Sequence, residues 1–251
     1  MSQIRELWEE YGKNDPYFAV MTVEANRKAN LGEVAREAFF QSGFDHVAMI
    51  WEAVESSFGI DFRPERSLDL GCGVGRIAIP LAARSGHVTA VDIADNMLLE
   101  AKRNCELADV ANVEFEQTDR YLNSTSSYDF VHSFITLQHI DPNLGIRIVR
   151  KMIDRLTDGG VGALHFTYKG TGGRFARFRS RLYRDVPLIY RLRRAFAKGE
   201  TGPYIPVYLY DLNAIMAELH AGGCHRVTIR FSDHSILGAM VIFRKEVLAS
   251  V

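Results

Sequence analysis

The chain has 251 residues, 47% apolar and 24% charged, with a formal net charge of -1; this suits one globular unit with additions and excludes a general pull toward nucleic acid. Cys72, Cys105 and Cys224 stand far apart with no CxxC pair, which excludes a zinc clip or dithiol motif and suits a reducing interior. The charged opening MSQIRELWEEYGKND lacks a signal peptide's apolar core, and no run approaches the roughly 18 apolar residues of a membrane-spanning helix, so a cytoplasmic protein is expected.

Along residues 1–62, Val34, Ala38, Val47, Ile50, Trp51, Val54 and Phe58 recur at three- and four-residue steps, which predicts an N-terminal helical cap. From Ser67 onward the pattern changes. Short apolar runs at 68–70, 87–91, 113–116, 128–134 and 160–166 alternate with amphipathic stretches at about 76–85, 95–107 and 143–156, the grammar of a parallel sheet with crossover helices. Gly159 and Gly160 are read as the stop of the third helix. Residues 169–206 are too long for a simple connection and read as an inserted lid. A helix at about 210–221 follows, and then strands at 225–231 and 237–243 whose short link SDHSI requires antiparallel pairing. The expected architecture is an α/β, doubly wound, mostly parallel sheet over 63–251, with the cap at 1–62 and the lid within it.

Chemistry concentrates in SLDLGCGVGRIAIPLA, residues 67–82, where Gly71, Gly73 and Gly75 turn a strand into a helix. Such a turn lets backbone approach a ligand and aims amide groups at an anion. The dinucleotide pattern GxGxxG is not met, because Arg76 holds the position of its third glycine. Asp69 at the strand end would repel a pyrophosphate and suits a cation. Asp92 ends the second strand, where an acid accepts ribose hydroxyl protons, and Asp119 follows the third strand within reach of an adenine amino group. A ligand with an ammonium, a carboxylate and a ribose but no phosphate fits this set, and S-adenosylmethionine has that inventory.

LDLGCGVGR, VTAVDIADNML, FEQTD, YDFVHSFITLQHI and DGGVGALHF together resemble the successive motifs of class I S-adenosylmethionine-dependent methyltransferases. The resemblance implies a seven-stranded sheet with its last strand inserted antiparallel. It also implies Asp69, Gly71, Cys72, Gly73 and Gly75 near the methionine portion, Asp92 on the ribose, Ile93 and Met97 against the adenine, Asp119 at its amino group, and Phe134 beside the cofactor.

Transfer to a hydroxyl also requires a base, and His139 in LQHID is the candidate, with its alternative a packing role. His165 and Tyr168 are secondary; His132 is read as a core histidine and His234 is unplaced. No HExxH or acid–histidine cluster points to a metal. Trp8, Tyr11, Tyr17 and Phe18 are candidates for an aromatic acceptor wall, with Tyr168 beside them; packing of the cap is their alternative. Residues 173–198 carry eight arginines and Lys198 against Asp185 alone, interleaved with apolar residues. This segment reads as a lid, a dock for an anionic acceptor, or a peripheral contact with anionic lipid through 174–198. A small polar or anionic acceptor, O-methylated, is the leading expectation. N-methylation and a non-catalytic cofactor- or partner-binding protein are the alternatives, an oxidoreductase a lesser one, and nucleic acid is disfavoured.

Overall fold

A computed structural model describes residues 2–171, 182, 204–233 and 236–246. In chain order its elements are α1 (Ser2–Asn14), α2 (Pro16–Val20), α3 (Glu33–Phe58), β1 (Arg66–Leu70), α4 (Ala78–Ala82), β2 (His87–Asp92), α5 (Asp95–Leu107), β3 (Val113–Gln117), α6 (Thr118–Asn123), β4 (Tyr128–Ser133), α7 (Pro142–Asp154), β5 (Leu156–Gly170), α8 (Leu212–Ala221), β6 (Arg226–Asp233) and β7 (Ile236–Arg244), with short 3-10 turns at Glu24–Asn26 and Leu137–His139.

The seven strands form one sheet in the order β3-β2-β1-β4-β5-β7-β6. β1 to β5 pair in parallel, whereas β7 lies antiparallel between β5 and β6. Strand alternation builds two cores. Leu68, Leu70, Val131, Leu164 and Phe166 face α7 and α8, while Ala90, Phe130, Val161 and Ile242 face α3 and α4. Each face is covered, which explains why these strands read as apolar runs and not as alternating ones.

Three expectations shift. The helical lead-in is divided, because Val47, Ile50, Trp51 and Val54 of α3 are buried in the sheet's own core, leaving α1 and α2 as the cap. The helix expected to run to TDGG stops at Asp154, and β5 already starts at Leu156, opposite Tyr128. Gly159, at φ 80, lies inside the β5 irregularity, where its amide bonds Lys245 O. α4 spans only 78–82, since Pro80 lacks an amide donor and is tolerated only in a first helical turn.

β5 extends to Gly170, so the start of the expected insertion is strand. Its arginine-rich stretch, and the peripheral lipid contact proposed through 174–198, lie outside the described residues apart from Leu182. His234 does as well. Among the described residues, no helix is long and apolar enough to cross a membrane.

Candidate active site

Chain order reverses between β1 and β4, so the crevice beyond their C-terminal ends is the place where an open α/β sheet binds ligands. A cavity of about 330 Å³ lies there, with β1, the glycine loop and the ends of β2 and β4 on one side and α1, α2 and α7 on the other. Asp69, Gly71, Cys72, Gly73, Asp92, Ile93, Met97, Phe134 and His139 all line it.

The loop reaches this position through left-handed turns at Gly71 (φ 80), Gly73 (φ 52) and Gly75 (φ 85). A Cβ on Gly71 would lie 2.2 Å from the Thr136 side chain, and one on Gly73 would lie 2.6 Å from Val20. Gly75 does not line the cavity; it lets the loop pass over Ala101 of α5. Ile135, also at the cavity, holds φ 59, a strained conformation for a β-branched residue.

Most amides of this loop are engaged within the protein. Gly71 N and Cys72 N donate to Val91 O, and Gly75 N donates to Cys72 O. Gly73 N donates to Asp92 Oδ2 at 2.9 Å, while Asp92 Oδ1 accepts from Ala94 N at 3.0 Å. Burial pushes the Asp92 carboxyl up to about 6 despite these bonds. Asp92 therefore fixes the loop and also presents acceptor capacity to the cavity.

Asp69 is buried, and the β1–β4 register places it directly beside His132. Its Oδ1 accepts from His132 Nδ1 at 2.9 Å, and its Oδ2 has no partner among the described residues. His132 Nε2 meets His46 Nε2 of α3 at 3.0 Å. With Nδ1–H given to the carboxylate, His132 offers its Nε2 lone pair, so His46 donates. Burial, with His132 and Arg76 nearby, holds His46 neutral, its pKa pushed down to about 2.

His139 is held at both ring nitrogens. Nδ1 donates to Pro206 O at 2.8 Å, so Nε2 carries the lone pair and accepts from Gln138 Nε2 at 3.0 Å. Burial pushes its pKa down to about 4. Asp141, which follows it in sequence, caps α7 by accepting from Asn143 N.

The aromatic candidates separate. Trp8 lines the cavity, its ring 5.2 Å from that of His139. Tyr11 packs behind Trp8 in the cap. Tyr17 is turned away, its hydroxyl 2.7 Å from Glu100 Oε1 and 2.9 Å from Asn104 Oδ1, and Phe18 lies under the Arg27 guanidinium. Tyr168 packs on Phe231, and His165 bonds Ser232 while its ring meets Phe134. Asp119 is also placed outside the cavity lining, ion-paired with Arg5 of α1, and its neighbour Thr118 takes the place at the wall.

Residues not singled out from sequence complete the site. Glu9 of α1 accepts from Asp95 N (2.7 Å) and Asn96 N (3.1 Å), capping α5 across the fold and fixing Ile4 and Trp8 over the cavity. Tyr208 reaches the wall because its amide bonds Gln138 O. Arg76, read only as a missing glycine, lines the cavity too. A strand-end histidine beside a strand-end acid was a usable signal for His132. His46 and Glu9 had none, because their partners are 86 or 87 residues distant.

Residues 68–160 match the family model of the methyltransferase domain. The chain carries a class I S-adenosylmethionine-dependent methyltransferase domain. The chain is 40% identical over 70 residues to a methyltransferase-named protein of Geobacillus sp. (strain WCH70), covering 28% of each chain. It is 32% identical over 71 residues to the 23S rRNA (uracil(1939)-C(5))-methyltransferase of Hahella chejuensis, covering 28% of this chain and 16% of that one. The chain thus spans under a third of either relative's length. Among solved structures, magnesium protoporphyrin IX methyltransferase from Synechocystis PCC 6803 with bound SAH aligns over 98% of this chain and 99% of that one, at TM-score 0.64 and 16% identity. The methyltransferase domain's cavity suits this cofactor chemically: it is lined by Asp69, whose buried Oδ2 has no partner among the described residues, and by Asp92, an acid able to accept hydrogen bonds from hydroxyls.

Proposed function

We propose that the chain transfers a methyl group from S-adenosylmethionine to a hydroxyl of a small-molecule acceptor. The observation that carries this reading is His139, a neutral imidazole in the cavity wall whose Nδ1–H is committed to Pro206 O and whose Nε2 therefore holds the lone pair. An amine acceptor needs no base held in this way; a hydroxyl does.

When bound, the cofactor supplies an electrophilic methyl on a positively charged sulfur. Asp92 would accept hydrogen bonds from the ribose hydroxyls, Ile93 and Met97 would flank the adenine, and the Asp69 carboxylate would hold the ammonium. Thr118, at the wall, stands where Asp119 was expected, while Asp119 anchors α1 through Arg5. Trp8 and Ile4 of α1 cover the cavity and exclude water, which favours an in-line geometry. The acceptor hydroxyl replaces the Gln138 amide at His139 Nε2 and gives up its proton there. The wall around that point, Trp8, Ile140, Leu144 and Tyr208, favours an acceptor with an apolar or ring face beside its hydroxyl, such as a sugar, glycolipid precursor or secondary metabolite.

Calorimetry with S-adenosylmethionine and its demethylated product, followed by transfer of labelled methyl to a panel of hydroxyl, amine and RNA acceptors, tests the proposal. Binding with transfer to a hydroxyl compound is expected. Binding without transfer to any acceptor favours the non-catalytic reading; transfer to amines or RNA alone replaces the acceptor class.

A further inference from the structure

We propose that Tyr210 is a positioning residue for the methyl transfer: its hydroxyl docks the turn that carries His139 against the segment 206–210, so that the imidazole meets Pro206 O in one tautomer. This rests on the reading that His139 is the base, and it identifies the part of the chain that holds that base in place.

His139 sits in the 3-10 turn Leu137–His139, whose own backbone bonds are His139 N to Thr136 O and Ile140 N to Leu137 O. So short a turn does not fix its own direction, and its place is set by what grips it from outside. The grip comes from one segment. Pro206 O accepts from His139 Nδ1 at 2.8 Å, Tyr208 N donates to Gln138 O at 2.7 Å, and the Tyr210 hydroxyl lies 2.9 Å from Leu137 O and 3.0 Å from Ile140 O. Those two carbonyls flank His139 in sequence, so one buried hydroxyl clasps both ends of the turn. The segment is itself tied to β5, where Tyr210 N donates to Thr167 O and Thr167 Oγ1 donates to Tyr208 O, each at 2.7 Å.

α7 keeps room for that hydroxyl. A Cβ on Gly145 would lie 1.9 Å from the Tyr210 oxygen, and a glycine inside a helix otherwise costs backbone entropy. Tyr210 is buried and does not line the cavity, so its effect on the reaction passes through His139.

Nitrogen NMR of the imidazole rings in the whole chain, with S-adenosylhomocysteine bound, reads the tautomer directly; the His139 signals are assigned by their loss in His139→Gln. The wild type is expected to hold the proton on Nδ1, and Tyr210→Phe to exchange between tautomers. Tyr210→Phe should also lower kcat with a hydroxyl acceptor about tenfold or more, leaving KM and the affinity for S-adenosylhomocysteine within about twofold. In a His139→Gln background the same change should cost nothing further, because the two residues act as one unit. An unaltered tautomer and rate in Tyr210→Phe, or an equal loss in the His139→Gln background, overturns the proposal. If Tyr210→Phe does not fold, Thr167→Val, which frees the segment at Tyr208 O, decides by the same two readouts. A wild type that holds the Nδ1 proton yet methylates no hydroxyl overturns the base reading instead, and the ring signals alone then decide whether Tyr210 sets the tautomer.

Discussion

His132 donates its Nδ1–H to Asp69 Oδ1 across 2.9 Å, between two strands whose register sets the residues side by side. Both are buried, and His46 closes the other side of the imidazole. The carboxylate of this cavity-lining residue is thereby held in one rotamer. Removing the imidazole leaves a buried charge uncompensated, so His132→Ala is expected to lower stability by about 3 kcal/mol. Urea unfolding measures it; a loss under about 0.5 kcal/mol would show that the contact does not support the fold.

Asp92 links the glycine loop to the end of β2. Asp92→Ala should weaken binding of S-adenosylhomocysteine by about tenfold to a hundredfold, the worth of charge-assisted hydrogen bonds. The wild-type affinity should also depend on pH. Ligand hydroxyls donate to the ionised form, and the carboxyl sits at about 6, so affinity should rise as pH passes upward through 6 and level off above it. Calorimetry at pH 5, 6 and 7.5 reads this, with Asp92→Asn expected to show no such rise.

His139→Gln should lower the maximal rate of hydroxyl methylation by about a hundredfold or more while leaving cofactor affinity unchanged. Because burial holds the imidazole neutral down to about pH 4, its titration should leave the rate flat above about pH 5 and reduce it only below that. A steady-state profile showing dependence on a group near pH 6.5 in the wild type, and retained in the variant, would remove His139 from the base role.

Acid should destabilise the protein through its buried neutral histidines. His46 and His139 have folded values pushed to about 2 and about 4, below the unfolded value of about 6.5, so the unfolded chain binds more protons below pH 6.5. Their contribution is complete above that pH and is lost as pH falls, by up to about 1.4 kcal/mol per unit for each. Asp92, raised to about 6, works in the opposite sense between about pH 4 and 6. Urea midpoints at pH 7.5 and 5.5 should therefore fall less for His46→Gln than for the wild type; equal falls would contradict the assignment.

The trans cap on α5 predicts a coupled effect. Glu9→Ala removes the carboxylate from Asp95 N and Asn96 N and should cost about 1 kcal/mol. It should also loosen α1, raising the protease sensitivity of residues 2–14 in the absence of cofactor. Unchanged proteolysis would mean that the Arg5–Asp119 pair and Trp8 suffice to hold the helix.

The amino-acid sequence by itself determined the sheet and the ligand-facing loop. A strand announces itself through a run of apolar residues, a left-handed turn through glycine, and the order Asp69, Gly71–Gly75, Asp92 follows from where strands end; these are local properties of backbone and period. The antiparallel last pair was legible for the same reason, since a short link permits nothing else. Helix limits were less so: β5 begins at Leu156 because Tyr128 pairs with it, a partner that local composition does not reveal. Only the tertiary structure decided which aromatic rings face the cavity. Trp8 and Tyr17 share one stretch of sequence, yet Trp8 meets His139 and Tyr17 turns to Glu100. It alone paired His46 with His132 and Arg5 with Asp119, and it left Asp69 Oδ2 and Arg76 Nε buried without a hydrogen-bond partner among the described residues. Side-chain direction is set by what packs against it from elsewhere in the chain, and for these residues that neighbour is mostly more than 80 positions away.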